Sequence, residues 1–308
     1  MQRAAVCGTL PEETRMNKKR YKNGQAYAFL SPFLVLVAVF YILPAFITVA
    51  MSFTNLDSAF QWHFTGLKNY EKIFRDPNTM TIVRNTVLFV LFAITGTVVL
   101  DLFFAIMTTY FIKSERLSGV FKAFLMVPMI TPAVVYSVLW IWLLEAGDSG
   151  LVNKLYTALT GSLPLNWIAK YPFQIIMFAT IMVSFAYGTT IFSSAIKSIP
   201  ENQFKAARVD GASEWEIVRG IILPNIRYHI QFITLWETLG LLTNYVTIML
   251  ITDGGPGIKT EVWALSAYHK AFRDQQYGYG AAISMLLIVV VLILMLLVNR
   301  VMNQRDRR

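Results

Sequence analysis

Residues 198–224 read SIPENQFKAARVDGASEWEIVRGIILP, and this stretch decides how the rest of the chain is interpreted. Two Ser-x-x-Glu pairs, at 198–201 and 213–216, have the spacing of a helix capping box. Pro200 is expected in the first helical turn, where its missing N–H costs nothing. Gly211 lies between the two pairs and can adopt the positive φ that ends a helix. The stretch therefore predicts a short helix, a sharp turn and a second helix.

The sequence around this stretch has the composition of a membrane protein. Hydrophobic residues make up 56% of the 308 residues and charged residues only 15%, against about 45–50% and about 25% in soluble domains. A helix needs about 20 apolar residues to cross a bilayer, and six stretches meet this length. They are 26–53, 82–112, 120–144, 172–196, 226–252 and 280–301. The fold class expected is an all-α polytopic membrane protein with six transmembrane helices.

The basic residues indicate the orientation of these spans. The two termini and the connections after spans two and four carry 18 of the 27 Lys and Arg residues, and the other three connections carry nine. Because Lys and Arg accumulate in cytoplasmic loops, both termini and the 198–224 loop are predicted to be cytoplasmic. The predicted organisation is a basic N-terminal segment, 1–25, a permease domain, 26–301, and a cytoplasmic tail, 302–308. The net charge of +9 is then a topology signal, and no nucleic-acid partner is expected.

Several kinds of functional site are not expected in this chain. The single Cys7 excludes an internal disulfide, and the three histidines lack the spacing of metal ligands. No phosphate-binding GxxxxGK[ST] loop occurs; the nearest string, 254–260, lacks the Gly before Lys. No cofactor is expected in this chain, so any ATP and Mg²⁺ must be bound by a separate ATPase.

The 198–224 loop has the character of a docking element. Ala206 and Ala207 permit close approach of another protein surface, and four apolar side chains could bury area. These are Phe204, Val209, Trp215 and Val218. An amphipathic helix lying against lipid explains the same pattern equally well from physics alone.

The strings KAARVDGA, 205–212, and IILP, 221–224, resemble the EAA loop of ABC importer permeases. In that family this loop docks into a cleft of the cytoplasmic ATPase. The resemblance departs at Lys205, where the family has Glu, which removes any ion pair made by that Glu. The residues it implies for ATPase coupling are Lys205, Ala206, Ala207, Asp210, Gly211, Ala212, Leu223 and Pro224.

The resemblance extends over nearly the whole chain after residue 25 and narrows to carbohydrate-uptake permeases similar to those for maltose and glycerol phosphate. It is carried by GLKNY at 66–70, by Val127-Pro128 with Pro132, by Gly150 and Asn153 with Trp167, and by TDGGP at 252–256 through Thr260, Tyr268, Ala271 and Phe272. It implies a MetI-like fold in a bacterial plasma (inner) membrane. The implied partners are a second homologous permease subunit, two cytoplasmic ATPase subunits and an extracytoplasmic sugar-binding protein.

Polar side chains inside the spans are the candidates for a sugar path, because a sugar needs hydrogen-bond partners in place of water. Thr180, Ser184 and Tyr187 share one helical face, and a second face carries Glu237, Gly240, Leu241 and Asn244. The resemblance implies sugar contacts at Met129, Ser184, Tyr187, Glu237 and Asn244. For Ser and Thr, a helix–helix hydrogen bond is the competing interpretation.

Asp101 is a different case from Glu237, and a hydrogen bond between spans is expected for it. An alternative function uses Asp101 and Glu237 as a proton or cation relay in a secondary transporter or channel. That class typically shows an internal repeat with broken helices, and none is evident. An intramembrane enzyme needs a nucleophile with its base or metal ligands, and none is visible at membrane depth.

Overall fold

The computed structural model describes residues 26–305, with side chains described except at 297–299 and 301–305. The predicted segment 1–25, which includes Cys7, and the last three residues of the predicted tail lie outside the described residues. The chain forms two compact units, divided between Met51 and Ser52. The first contains helix α1, Ala26–Ser52, except for its last residue.

Helices make up the second unit, and its described part has one isolated β-bridge, between Thr54 and Phe64. The helices are α2 (Lys68–Arg75), α3 (Thr79–Phe111), α4 (Glu115–Ile130), α5 (Ala133–Leu143), α6 (Leu151–Thr160), α7 (Trp167–Lys170), α8 (Pro172–Lys197), α9 (Glu201–Val209), α10 (Glu214–Ile217), α11 (Leu223–Thr243), α12 (Val246–Ile251), α13 (Trp263–Tyr268) and α14 (Tyr277–Arg305). A π-helical turn, Val218–Ile222, joins α10 to α11 without a break.

Four of the described helices are long and apolar enough to cross a membrane: α1, α3, α8 and the Tyr277–Leu296 part of α14. Helices α4 and α5 meet the same test together, but they are bent by 96°. The predicted span 120–144 is therefore two helices rather than one. The bend falls at Thr131 and Pro132, because proline lacks the N–H that would continue the helix and forces the preceding residue out of the helical region.

The predicted span 226–252 is also interrupted. Helix α11 ends at Thr243, Asn244 has an extended backbone with φ −73° and ψ 118°, and α12 begins at Val246. The expectation that Asn244 continues the helical face of Glu237 is therefore wrong. The number of membrane crossings stays a prediction.

Helices α3 and α8 make the most extensive helix contact and run parallel, since Gly96 faces Ile181 and Asp101 faces Gly188. A methyl group built at Gly188 would overlap the Asp101 carboxyl group. Glycine is required there because the two backbones approach closely. Helix α11 packs against both α3 and α8, so these three helices form the centre of the second unit.

Two apolar clusters hold this centre together. One, at the start of α3 and α8, includes Phe89, Ile176 and Leu265. The other joins the ends of α3 and α8 to the 198–224 loop. Truncating a fully buried isoleucine of this kind to alanine typically costs about 2–5 kcal/mol.

Two of the strings that carry the family resemblance, at 66–70 and around Asn153, supply side chains that bind backbone groups in the connections between helices. Asn69 donates to the Ser52 and Thr54 carbonyls at 3.0 and 2.7 Å. Asn153, fully buried, donates to the Glu145 and Leu165 carbonyls and accepts from the Leu165 N–H and the Trp167 indole. Both asparagine side chains therefore hold backbone groups of the connecting segments in place.

Candidate functional site

The 198–224 loop folds as the predicted helix, turn and helix. Gly211 has φ +80°, and Ser213 and Glu216 form both hydrogen bonds of a capping box at the start of α10. The prediction for the first pair is wrong. Ser198 donates its hydroxyl to the Ala195 carbonyl at 2.7 Å, and α9 is preceded by Pro200 without a side-chain cap. Ser198 is the C-terminal cap of α8. Its hydroxyl is therefore bonded to that helix and does not cap the start of α9.

One face of the loop is anchored in the second apolar cluster. Ile217 and Val218 are buried, and Phe204 and Ala207 of α9 pack against the same cluster. Ala212 and Leu223, both predicted coupling residues, also lie on this anchored side.

The opposite face of the loop is exposed. Val209 is 87% and Trp215 is 68% exposed. Five of the predicted coupling residues are exposed as well: Lys205, Ala206, Asp210, Gly211 and Pro224. An exposed Trp and an exposed Val on a loop whose other side is packed offer apolar area suited to burial against another protein.

A polar clamp ties this loop to the end of α3. Tyr110, buried in the second cluster, donates its hydroxyl to Glu214 and accepts a hydrogen bond of 3.2 Å from Arg208. Arg208 Nε also lies 3.8 Å from a Glu214 oxygen. Because Arg208 and Glu214 flank the Gly211 turn, the clamp holds the turn closed. The opposite charges on either side of the glycine were a sequence signal for this pair, but nothing in the sequence indicated Tyr110.

The charges of the loop have local partners. The hydrogen bonds from Ser213 hold the pKa of Glu216 below its ordinary value of 4.5. Lys205, which stands where the family has Glu, lies 3.2 Å from Glu201 one helical turn earlier. An exposed pair of this kind adds little to stability, so Lys205 could exchange it for a contact with a partner at little cost.

The polar face of α8 is only partly turned into the protein. Thr180 is buried, and its hydroxyl has no hydrogen-bond partner among the described residues. Ser184 is half-buried, and Tyr187 is half-buried against the second cluster.

Glu237 of α11 is buried, and one of its carboxylate oxygens has no hydrogen-bond partner within the described part of the chain. Gly240 is exposed, Leu241 lies in the first apolar cluster, and Met129 is 42% exposed just before the bend between α4 and α5. The structure thus places the predicted sugar-path residues on helices that pack together, since α8 contacts both α4 and α11. No hydrogen bond between their described side chains joins them directly.

Asp101 makes the hydrogen bond between helices that was expected of it. Its Oδ1 accepts from the Thr189 backbone N–H at 2.6 Å and from the Thr189 hydroxyl at 3.1 Å. Its Oδ2 has no hydrogen-bond partner in the described structure. Glu237, which is also buried, lies on α11, and α11 packs against α3.

A charged cluster in the connection after α12 was missed by the sequence analysis. His269, 4% exposed, lies between Glu261 Oε1 at 3.0 Å and Asp253 Oδ1 at 2.9 Å. Burial raises the pKa of Glu261, and His269 and Arg273 oppose this. The histidine is eight residues after the glutamate, a spacing that gave no signal because the chain folds back between them.

Comparison with known proteins agrees with this architecture. The family described as "Binding-protein-dependent transport system inner membrane component" matches residues 101–308. A probable ABC transporter permease protein of Pyrococcus horikoshii is 31% identical over 262 residues, 84% of this chain and 88% of that protein. The trehalose/maltose transport system permease protein MalF of Thermococcus litoralis is 29% identical over 277 residues, 88% of this chain and 91% of that protein.

A solved structure shares the fold. A chain from a bacterial ABC transporter involved in the import of the acidic polysaccharide alginate superposes with a TM-score of 0.80 at 19% identity. The match covers 96% of this chain and 100% of that chain. This chain therefore belongs to the inner-membrane permease components of binding-protein-dependent ABC importers, and it is a multi-pass membrane protein and not an enzyme.

Proposed function

We propose that this permease moves a sugar or oligosaccharide into the cell, driven by ATP hydrolysis on separate subunits. A second homologous permease, two cytoplasmic ATPase subunits that bind ATP and Mg²⁺, and an extracytoplasmic sugar-binding protein complete the proposed importer. The named relatives support the substrate class, since they include a trehalose/maltose permease and, at 25% identity, a lactose permease of Rhizobium radiobacter. Family membership leaves no place for the alternative of a secondary transporter or channel.

The observation that carries the coupling proposal is the two-sided 198–224 loop. Its buried side is fixed to the ends of α3 and α8, and its exposed side presents Val209 and Trp215. A helix that lies on lipid typically surrounds its apolar side chains with Lys and Arg. Here Trp215 stands between Glu214 and Glu216, which favours a protein surface over the lipid interpretation.

We place the loop and both termini in the cytoplasm, as the distribution of Lys and Arg predicts. In this arrangement, a movement of the ATPase surface displaces α9 and the Gly211 turn. The Tyr110 clamp and the second apolar cluster connect this movement to α3 and α8.

We assign the sugar path to Glu237, Gly240 and Asn244 on one side and to Met129, Ser184 and Tyr187 on the other. The free oxygen of Glu237 supports this assignment, because a buried carboxylate without a partner is costly unless a ligand or water completes it. The break at Asn244 also frees backbone groups beside the path.

The proposed function is tested with the assembled importer in proteoliposomes. The sugar is first identified by mass spectrometry of the ligand on the cognate binding protein. We expect uptake of that sugar to need the binding protein. It should also need hydrolysable ATP on the side of the membrane that carries the ATPase subunits. Uptake that continues with a non-hydrolysable ATP analogue, or that follows an ion gradient alone, contradicts the proposal.

A further inference from the structure

A cavity of about 460 Å³ lies behind the coupling loop, between the end of α3, the start of α4, the end of α8 and helix α9. It belongs neither to the proposed sugar path nor to the exposed docking face. Its charged lining consists of four cations and two carboxylates: Lys113, Lys122, Lys197, Arg208, Glu115 and Glu201.

Part of this charge is already neutralised. Arg208 is held by Glu214 in the clamp, and Glu201 is paired with Lys205. Three lysines then remain against the single carboxylate of Glu115. The cavity keeps an excess of positive charge.

Lys122 and Lys197 have no carboxylate partner within the described residues. Lys122 donates to the Thr109 hydroxyl at 2.9 Å, and Lys197 makes no described hydrogen bond or ion pair. Both side chains line the same cavity. Two ammonium groups that repel each other across a cavity are stabilised by an anion placed between them.

Two backbone acceptors at the wall of the cavity are already occupied. Ser118 donates its hydroxyl to the Thr108 carbonyl at 2.5 Å, and Lys113 donates to the Tyr110 carbonyl at 3.2 Å. These bonds use the free carbonyls at the end of α3. The carboxylate of Glu115 is left as an acceptor against the donors of three lysines, and this excess of donors suits an oxyanion more than a cation or a neutral sugar.

We propose that this cavity binds the phosphate of an anionic phospholipid head group from the cytoplasmic leaflet, between Lys122 and Lys197. The level of the site supports a lipid. It lies where α3 and α8 end and α4 begins, and head groups surround helix ends at the membrane surface. Helix α9 turns Phe204 and Arg208 towards the cavity and leaves Val209 exposed, so the lipid and the ATPase use opposite faces. The assignment to the cytoplasmic leaflet rests on the proposed orientation of the chain. The preference for an anion does not depend on it.

The test measures labelling of the assembled importer by photoactivatable phosphatidylglycerol in phosphatidylcholine nanodiscs, normalised to assembled complex. A lysine near an anionic surface contributes about 1 kcal/mol. We therefore expect the double variant Lys122→Gln and Lys197→Gln to lower site labelling roughly ten- to thirty-fold. The double variant with arginine at both positions should retain labelling. The matched control Lys154→Gln with Lys170→Gln, in the predicted external connection, should equal wild type.

Three outcomes would overturn the proposal. The first is equal labelling of the glutamine double variant and wild type. The second is loss of labelling on adding millimolar inorganic phosphate to wild type, which assigns the site to a free anion. The third is labelling that appears only after the ATPase subunits are removed, which assigns the cavity to a protein segment.

Discussion

Substitutions of Gly211 can distinguish two roles of the turn: its backbone conformation and its contact with a partner. Gly211 has φ +80°, and apart from its two chain neighbours no heavy atom of the described residues lies within 4 Å of a Cβ built there. A side chain therefore meets no obstacle among the described residues, and its cost there is that of the left-handed backbone. That cost is about 1–2 kcal/mol for an ordinary residue and less for asparagine, which tolerates this conformation.

The expected order follows from these terms. Gly211→Asn should transport nearly as wild type, and Gly211→Ala should lower the population of the correct turn about five- to thirty-fold. Gly211→Arg carries the same backbone cost as alanine. Any further loss must come from what lies outside the chain. A blocked centre of an interface typically costs 2 kcal/mol or more, so uptake in Gly211→Arg should fall a further thirty-fold or so.

The assay measures two quantities for each variant: the ATPase that co-purifies with the permease, and sugar uptake per assembled complex. Gly211→Asn controls for folding, and Gly211→Ala controls for the backbone. If Gly211→Arg assembles and transports as Gly211→Ala does, nothing docks at this turn and the coupling assignment is wrong.

Four further predictions concern orientation, path, packing and pH. In a Cys7→Ser background, an impermeant thiol reagent on intact cells should label cysteine at Ser149 and not at Ser213; the reverse would overturn the topology. Glu237→Gln removes a charged acceptor whose sugar hydrogen bond is worth about 1.5–3 kcal/mol, so uptake per complex at limiting sugar should fall about ten- to a hundred-fold, whereas normal apparent affinity with less complex would mark a structural residue. Gly188→Ala should lower the yield of folded permease, because the methyl group overlaps Asp101 and overpacking costs about 1–3 kcal/mol; Gly220→Ala, with open space around its Cβ, should not. Because the pKa of Glu216 is lowered in the folded loop, its cap is fully present above pH 4.5 and is lost as pH falls through the lowered pKa, so amide exchange at the start of α10 should increase there in wild type and not in Glu216→Gln.

The sequence predicted best those features whose physics is local. The Ser213 cap and the Gly211 turn depend on neighbouring residues only, and both are present. The Ser198 cap has the same spacing and fails, because α8 extends to Lys197 and Ser198 bonds backwards to it. The spacing alone does not say where the preceding helix ends.

Features that depend on how helices meet were only partly predictable. A buried carboxylate must find donors, so a bond between helices could be expected for Asp101. Its partner Thr189 follows from the parallel register of α3 and α8, which no single segment encodes. The breaks at Pro132 and Asn244 were not predicted, because hydropathy indicates how long an apolar segment is and not whether its helix bends. Pro132 was a visible signal for the first break, and Asn244 carried none of comparable strength.

The contact of Gly188 with Asp101 makes α3 and α8 behave as one lever arm. A pair of helices that share a backbone-to-carboxylate bond cannot slide past each other without breaking it. Helix α8 has 26 residues and is about 39 Å long. A tilt of about 10° imposed at the clamped loop end would then displace the far end of the pair by about 7 Å, since each residue rises 1.5 Å. In the proposed coupling, a small movement of an ATPase surface at the loop would be enlarged at the far end of the pair, and a looser contact at Gly188 would reduce that movement.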